Sequence, residues 1–421
     1  MVLLGCIADD FTGATDLADT LARGGMRTVQ LIETPEAGPA PAGVDAVVIA
    51  LKTRTVPAAE AVERSLGALR WLRDAGARQF FFKYCSTFDS TDAGNIGPVA
   101  DALLEALRES FTVACPAFPE NGRTVYQGHL FVGDQLLSDS PMRHHPLTPM
   151  TDSNLVRVLG RQTRHRAGLI PYATVAAGSG AIRRAIDALR REGSAYAIVD
   201  ALDGAALDAI GEACADLRLV TGGSGVARGL PHNFRRRGLL AAAEAAPVLG
   251  SPGGRAAVLA GSCSAATLAQ VAAGRGAWPS FAVDPMALAS GVDVAAQASR
   301  WAEVHLARGP ILIYSTAPPD EVARVQAALG RDRAGALVEG AFAAIAASLV
   351  DLGVRRLVVA GGETAGAVVK ALGIHALRIG PPIEPGVPWT LSVETPPIAL
   401  ALKSGNFGTP EFFSRALEMM R

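Results

Sequence analysis

The chain of 421 residues lacks the features that would place it in several common classes. Its five cysteines are scattered and odd in number, and none forms a CxxC pair, so neither a disulfide framework nor a local zinc site is predicted. This cysteine usage is typical of a reducing cytoplasm. The formal net charge is -1, without the basic excess of a nucleic-acid-binding protein. No apolar run reaches the roughly 18 residues of a membrane span, so no membrane association is expected.

Two sequence signatures of nucleotide-binding loops are also missing. No Gly-Lys-Ser/Thr completes a Walker A loop, and the run Gly361–Gly366 lacks the middle glycine of a GxGxxG dinucleotide fingerprint. The adjacent His144 and His145 lack the spacing of a locally built metal site, so we predict no protein-held metal.

Short apolar runs do alternate with amphipathic stretches, as in an α/β protein with mostly parallel sheets. Helical patterns cover Gly13–Arg23 and Ala58–Asp74. The runs that predict buried strands in the first half are Leu3–Ile7, Thr28–Ile32, Ala46–Leu51, Phe80–Lys83, Phe111–Ala114, Ala197–Val199 and Leu217–Val220.

The alternation restarts in the second half, which predicts a second domain of the same class. Its strand-like runs are Ala256–Ala260, Ile311–Tyr314, Leu357–Ala360 and Ile398–Leu402. We predict domains at residues 1–232 and 256–421, joined by a linker at 233–255 that is rich in Arg, Ala and Gly. Ligands of open α/β sheets bind beyond the carboxyl ends of strands, so we expect an active site in the interdomain cleft.

Two carboxylates, Asp9 and Asp10, follow the first predicted strand directly, and Thr12-Gly13 then open a helix. A carboxylate at this edge can orient a substrate hydroxyl, accept its proton or hold Mg²⁺. The alternative is that one aspartate only caps the helix. Asp89, in a later polar loop, is a third candidate base.

A polar run from Lys83 to Thr91 leaves the strand Phe80–Lys83. Lys83, Tyr84, Cys85 and Ser86 are candidates for a carboxylate clamp, because a cation, backbone N–H groups and hydroxyls lie together there. Arg54, which follows the strand Ala46–Leu51, can add a bidentate grip. A surface loop with one exposed lysine is the alternative.

Three glycine-rich turns follow strands in the second half and are candidates for phosphate binding, because glycine lets the backbone approach a ligand closely. They are Gly261–Ser264, Gly361–Gly366 and Lys403–Gly408. A fourth such turn, Gly222–Gly225, lies in the first half and has no assigned role.

Several longer runs resemble the four-carbon acid sugar kinase family, and in particular its 3-oxo-tetronate kinase branch. The opening IADDFTGATDLA is similar to the family's N-terminal signature, and KYCSTFDSTDAGNIGPV, PAFPENGRTVYQGHLFV and HPLTPMTDSNL resemble that branch. AGSCSAAT, AGGETAGAV and KSGNFG are similar to the family's nucleotide-binding loops. The resemblance covers nearly the whole chain.

The resemblance implies a sugar-acid domain followed by a nucleotide domain, and transfer of phosphate from ATP, with Mg²⁺, to the 4-hydroxyl of a 3-oxo-tetronate. It implies that Asp9, Arg54 and Lys83 through Ser86 meet the substrate. It likewise implies nucleotide contacts from Ser262, Gly361, Gly362, Glu363, Thr364 and Gly405. Threonate or erythronate, the acids of sister branches, remain alternatives, and a homodimer stays open.

Two other classes of protein are alternatives to a sugar-acid kinase. An oxidoreductase or aldolase for the same acids needs a cofactor fingerprint or a Schiff-base lysine. A two-lobed sugar-acid sensor needs a DNA-binding or partner segment, and the sequence displays no such appendage.

Overall fold

The computed structural model describes residues 2–36, 38–145, 147–241 and 249–420, and the chain divides into two compact units, residues 1–246 and 247–421. A helix spans Leu230–Arg236, so residues 233–236 of the expected linker are helical and belong to the first unit. Residues 242–248 of that segment lie outside the described residues. The exact domain boundaries stay a prediction.

The first unit is built on a parallel sheet, which confirms the predicted α/β class. Its strands run in the order β2-β3-β1-β4-β11-β5-β10-β9. The strand bounds are β1 Leu4–Ala8, β2 Thr28–Ile32, β3 Ala46–Ala50, β4 Gln79–Lys83, β5 Thr112–Cys115, β6 Arg123–Tyr126, β7 His129–Val132, β8 Gln135–Leu136, β9 Arg166–Ile170, β10 Ser194–Val199 and β11 Leu219–Gly222.

Strands β6, β7 and β8 form a separate antiparallel sheet that the sequence analysis did not predict. The large sheet is covered by helices α1 Phe11–Arg23, α2 Ala58–Asp74, α3 Ile96–Leu107, α4 Leu155–Gln162, α5 Tyr172–Ala176, α6 Ser179–Arg191, α7 Gly204–Ala213, α8 Ser224–Ala227 and α9 Leu230–Arg236. Short 3-10 helices span Pro119–Asn121, Leu137–Asp139, Pro141–His144 and Cys214–Asp216.

The burial of β1 illustrates why the central strands are continuous apolar runs in the sequence, without alternation of apolar and polar residues. All five of its residues are buried, because helices cover both faces of a parallel sheet. The chain passes from β1 to β2, which lies two strands away, returns through β3 and then continues on the other side of β1 with β4. The direction of winding therefore changes at β1, where ligand sites of such sheets are found.

The second unit is also built on a mostly parallel sheet, but it contains an antiparallel strand. Its strands run in the order β13-β14-β12-β15-β18-β17-β16, and only β17 pairs with its neighbours in the antiparallel sense. The bounds are β12 Arg255–Ala260, β13 Ser280–Ala282, β14 Ile311–Tyr314, β15 Val354–Ala360, β16 Ala376–Glu384, β17 Val387–Ser392 and β18 Ala399–Lys403. The direction in which successive strands are added to the sheet changes at β12, which lies between β14 and β15.

The hairpin of β16 and β17 contains the proline-rich run Pro381–Gly386. Pro381 to Gly386 look like a rigid loop, but Pro381 through Glu384 belong to β16, with shifts of register at the prolines. Proline lacks a backbone N–H, and the strand tolerates it here at irregular positions of the ladder.

The helices of the second unit are α10 Ala265–Ala277, α11 Pro285–Ala289, α12 Val294–His305, α13 Pro319–Leu329, α14 Arg331–Asp351, α15 Gly362–Ala371 and α16 Phe412–Met419. Helix α14 departs from the expectation that no segment matches a membrane span, since by length and composition alone it is apolar enough to cross one. The core helix of a soluble protein meets the same criterion, and Phe342, Ile345 and Leu349 of α14 are fully buried in this unit.

Candidate active site

The predicted sugar-acid residues meet at the carboxyl edge of the first sheet. Strand β1 pairs with β3 through Ala8 and Ala50, and with β4 through Ala8 and Lys83, so the residues that follow these strands converge. The backbone of Asp9 ties the three strand ends together: its N–H donates to Lys83, and its carbonyl oxygen accepts from the N–H of Arg54.

Arg54 lies in the centre of a group of aspartates. Its Nε and Nη2 donate to the two oxygens of Asp9 at 2.9 and 2.7 Å, and its Nη2 also lies 2.9 Å from Oδ1 of Asp10. Its Nη1 is 3.9 Å from Oδ2 of Asp89. The guanidinium is thus engaged by protein carboxylates, and a substrate carboxylate would have to compete with them. This geometry fits an arginine that orients Asp9 better than it fits a free carboxylate clamp.

The two adjacent aspartates have different electrostatic environments. Burial raises the pKa of Asp9 above its usual value, although Arg54 partly offsets this effect. Burial opposes ionisation of Asp10 as well, but Arg54, Lys83, the Thr12 hydroxyl and the Gly13 N–H outweigh it, and the pKa of Asp10 is lowered. Asp10 accepts the Gly13 N–H at 2.9 Å as the N-cap of α1. The helix cap is therefore Asp10, and Asp9 is the better proton acceptor.

Lys83 is buried beneath the first turn of α1. Its Nζ donates to the carbonyl oxygen of Tyr84 at 2.9 Å, the one hydrogen bond of this ammonium to the described residues. Two N–H donors are left for a ligand, since an ammonium has three. A Cβ on Gly13 would lie 2.9 Å from this Nζ and 2.2 Å from Oδ1 of Asp10, which accounts for glycine at that position.

The loop after Lys83 does not present every predicted residue to a ligand. Tyr84 is fully buried, its hydroxyl is 3.0 Å from that of Thr221, and its backbone N–H donates to Gly222. All of its polar groups have protein partners, so we assign Tyr84 to packing. Burial raises the pKa of the Cys85 thiol to about 11, which keeps it protonated and unreactive. Ser86 is partly buried in the same turn.

Asp89 is held in place by the polar loop itself. The Thr87 hydroxyl donates to its Oδ1 at 2.6 Å. Phe88, between these residues, has a left-handed backbone with φ of 53°, a conformation that costs energy for a non-glycine residue. Its ring is buried against Tyr84, with the centroids 5.4 Å apart. The packing of Phe88 therefore fixes a strained turn that directs Asp89 toward Arg54.

Two buried acids on α1 were missed by the sequence analysis. Asp16 accepts a hydrogen bond from Ser224, and its other oxygen has no partner among the described residues. Asp19 faces Arg23, with 3.0 Å between its Oδ2 and Nε. Burial raises the pKa of Asp16 to about 6 and that of Asp19 to about 7. In sequence they look like ordinary polar positions of an amphipathic helix.

These shifts predict that the first unit loses stability as the pH rises from about 4 to about 7. An acid whose pKa is raised in the folded state stabilises it below its unfolded value of 3.8, and this contribution is lost as the pH passes the folded pKa. We expect Asp19→Asn to raise the free energy of unfolding at pH 8 by on the order of 2 kcal/mol more than at pH 5. Urea unfolding at both pH values measures this. The exposed Asp134→Asn is the control, and an equal effect of Asp19→Asn at both pH values contradicts the prediction.

The predicted nucleotide residues converge in the same way in the second unit. Strand β15 lies between β12 and β18, and the turns that follow these three strands meet at one edge of the sheet. The Gly361 N–H donates to the carbonyl oxygen of Lys403 at 2.9 Å, and the N–H groups of Gly261 and Ser262 donate to that of Ala360.

Close backbone approach explains the glycines in these turns. A Cβ on Gly261 would lie 2.1 Å from the Thr364 hydroxyl, and one on Gly405 would lie 2.3 Å from that of Ser262. Gly361 has φ of 124°, and a Cβ there would come 3.1 Å from the backbone nitrogen of Ser262. Glycine is needed at all three positions for the turns to pack against each other.

Helix α15 begins at Gly362 without a side-chain cap. Its first turn contains Gly362, Glu363 and Thr364. The N-terminal turn of a helix, with its backbone N–H groups and the positive end of the helix dipole, suits a phosphate oxygen. Thr364 is buried and packs on Gly261, whereas Glu363 is exposed.

Lys403 was quoted in the sequence motif but not predicted as a functional residue. Its side chain is fully buried and donates to carbonyl oxygens of the following loop. Burial lowers the pKa of Lys403 to about 7, while nearby Glu384 favours the charged form. A lysine that closes an apolar strand is the sequence signal that could have identified it.

Comparison with known proteins identifies the family. Residues 4–230 match the model of a sugar-binding N-terminal domain, and residues 257–413 match that of a nucleotide-binding C-terminal domain. The chain belongs to the four-carbon acid sugar kinase family. The predicted resemblance is confirmed.

Relatives in this family match over their whole length. A 3-oxo-tetronate kinase of Burkholderia multivorans is 62% identical over 418 residues, covering 99% of this chain and 97% of the relative. The 3-oxo-tetronate kinase of Salmonella typhimurium is 49% identical over 419 residues, covering 99% of both chains. A solved Salmonella typhimurium structure, described as that of a tRNA synthase, has 48% identity and a TM-score of 0.88, with both chains fully covered.

In the described part of the chain, no three His, Cys, Asp or Glu residues are placed to hold an ion. His145 instead lies within hydrogen-bonding distance of Thr148, with 2.9 Å between Nδ1 and the hydroxyl oxygen.

Proposed function

We propose that this chain transfers the γ-phosphate of ATP to the 4-hydroxyl of a 3-oxo-tetronate such as 3-dehydroerythronate. The proposal rests on one observation: the chain contains two chemically different sites, each located where strands of a parallel sheet end. One is an aspartate whose pKa is raised and which is oriented by an arginine. The other is a set of interlocked glycine turns next to an uncapped helix N-terminus.

Asp9 is the proposed proton acceptor for the attacking hydroxyl. Its two oxygens are fixed by Arg54, and because burial raises its pKa it is a stronger proton acceptor than an ordinary aspartate. Arg54 orients Asp9 and balances the charge of Asp10, while the two remaining donors of Lys83 bind the substrate carboxylate. Backbone groups and hydroxyls around Cys85 and Ser86 hold the rest of the four-carbon chain.

The glycine turns of the second unit are the proposed ATP site. Phosphoryl transfer requires positioning and neutralisation of charge rather than covalent chemistry by the protein. The N–H groups of Gly362, Glu363 and Thr364 bind phosphate oxygens at the start of α15. Ser262, Gly361 and Gly405 shape the loops on either side of the phosphates. The location of the complete active site in an interdomain cleft stays a prediction.

Magnesium is proposed to enter with ATP as part of the substrate. The ion prefers phosphate oxygens, water and one or two carboxylates to a cage made only of protein groups. The aspartates near Arg54 are the side chains whose chemistry suits an additional contact.

The identity of the sugar acid is a more specific proposal than the type of reaction. Relatives that match nearly the full chain are named 3-oxo-tetronate kinases, which favours a 3-oxo acid over the threonate and erythronate of sister branches. A cytoplasmic location and a homodimer are further proposals, which rest on the sequence and on the class of enzyme.

ADP release with a panel of four-carbon acids tests this function. Purified protein, ATP and Mg²⁺ are mixed with threonate, erythronate and their 3-oxo forms, and we expect ADP release with a 3-oxo acid alone. Release with threonate or erythronate instead would keep the kinase and change the substrate. ATP binding without release for any acid would contradict the proposed acceptor and favour the sensor.

A further inference from the structure

The loop at residues 404–409 is wrapped around the ammonium of Lys403. The Nζ atom donates to the carbonyl oxygens of Ser404, Gly405 and Phe407 at 2.8, 2.9 and 3.0 Å, and it lies 3.2 Å from the Thr267 hydroxyl. The side chain of Lys403 has no exposed surface. An ammonium carries three N–H donors and no acceptor, so a ring of oxygens is the environment that suits it.

This ring determines the direction of the neighbouring N–H groups. In a trans peptide the N–H points opposite to the C=O of the same peptide unit. The carbonyl groups of Ser404 and Gly405 point at Lys403, so the N–H groups of Gly405 and Asn406 point away from it. Neither N–H donates to a described residue, and Asn406 is exposed. Two backbone donors are therefore presented outward beside Ser262, one of the predicted nucleotide residues.

Other buried groups hold the remainder of the loop. The Gln270 side-chain amide donates to the carbonyl oxygens of Phe407, Gly408 and Thr409, at 3.0 to 3.1 Å. Glu384 accepts the Thr409 N–H and hydroxyl, both at 2.8 Å. The loop is thus fixed from its middle to its carboxyl end by these groups. Its amino end depends on Lys403 and on the hydroxyls of Ser264 and Thr267, which donate to the carbonyl oxygen of Gly405.

We propose that Lys403 is a positioning residue for ATP, whose ammonium fixes the loop so that the N–H groups of Gly405 and Asn406 face the phosphates. This inference rests on the proposed function. Lys403 does not touch the nucleotide itself, because its donors are all directed to protein oxygens. Its removal takes the charged donor away from three carbonyl oxygens and leaves them only neutral donors, so the amino end of the loop is held less firmly.

The test is the substitution Lys403→Met, which keeps the length of the side chain and removes its donors. We expect the Kd for ATP, measured by calorimetry, and the KM for ATP to rise by roughly ten- to a hundredfold, the range for lost bonds to a charged group. The KM for the sugar acid should stay close to the wild-type value. A purely structural role would lower the melting temperature and the active fraction without this selective rise.

Two further variants and the wild-type chain show whether Lys403 positions the ATP-binding loop. The exposed Lys370→Met, on α15 of the same unit, is the matched control and should leave the Kd for ATP unchanged. If Lys403→Met does not fold, Thr267→Val removes one hydroxyl of the same ring and should raise the Kd for ATP by a few fold. Unchanged ATP binding in a folded Lys403 or Thr267 variant overturns the proposal, whereas a wild-type chain that binds no ATP overturns the proposed function itself.

Discussion

We expect Asp9→Asn to lower kcat by roughly a hundred- to ten-thousandfold, the contribution of a positioned general base. Asparagine keeps the shape of the side chain and one oxygen for Arg54, but it cannot accept the proton of the attacking hydroxyl. The glycine turns of the second unit are not altered, so the Kd for ATP should stay at the wild-type value. Steady-state kinetics with a 3-oxo acid, together with calorimetry for ATP, measure both quantities.

Asp10→Asn is the matched control, because it removes a carboxylate from the neighbouring residue. Asparagine at residue 10 can still accept the Gly13 N–H as the N-cap of α1, so most of kcat and of the free energy of unfolding should be kept. The same substitution at Asp89 tests the third acid near Arg54. If Asp9→Asn turns over at nearly the wild-type rate and Asp89→Asn does not, Asp89 is the base.

We expect Gly361→Ala to raise the KM for ATP by roughly ten- to a hundredfold, which corresponds to a strain on the order of 1 to 3 kcal/mol. The backbone φ of 124° is unfavourable for alanine, and the added Cβ would lie 3.1 Å from the Ser262 nitrogen. The turn must move to relieve the strain, and it then displaces Ser262 and the start of α15. The measurement is ATP dependence of the rate at saturating sugar acid.

Gly340→Ala controls for the general effect of adding a methyl group to this unit. Gly340 lies within α14, and nothing lies within 4 Å of the position of its Cβ, so alanine should be neutral or slightly stabilising. If Gly361→Ala binds ATP as well as Gly340→Ala does, the glycine turn after β15 is not part of the nucleotide site.

The central strands were predicted well from the sequence because each of them is a continuous run of apolar residues. Strands β2 and β14 have the bounds that their apolar runs predict, and β1, β3 and β4 differ by about one residue. Runs of this kind need no knowledge of distant residues, since every position in them is buried. The hairpin sheet after Asn121 and the strand through Pro381 were missed, because partly exposed strands and strands with prolines do not form such runs.

Candidate site residues were predictable where they follow strands. Asp9, Arg54 and Lys83 are far apart in the chain, but the rule that ligands bind at carboxyl ends of parallel strands selects all three. The same rule selects the turns that contain Ser262, Gly361 and Gly405. It also selected Tyr84, whose hydroxyl is buried against Thr221, because the rule does not say on which side of the sheet edge a side chain points.

By itself, the sequence determined the α/β class, the family and the strand ends where polar residues gather, because apolar runs and contiguous motifs are local properties of the chain. Only the tertiary structure decided how these residues act on one another. Arg54 is bound to Asp9 and Asp10, Asp10 caps a helix, Asp16 and Asp19 are buried, and Lys403 holds a loop. Each of these facts depends on burial and on distances between residues remote in sequence, and these fix pKa values and hydrogen bonds only once the chain is folded.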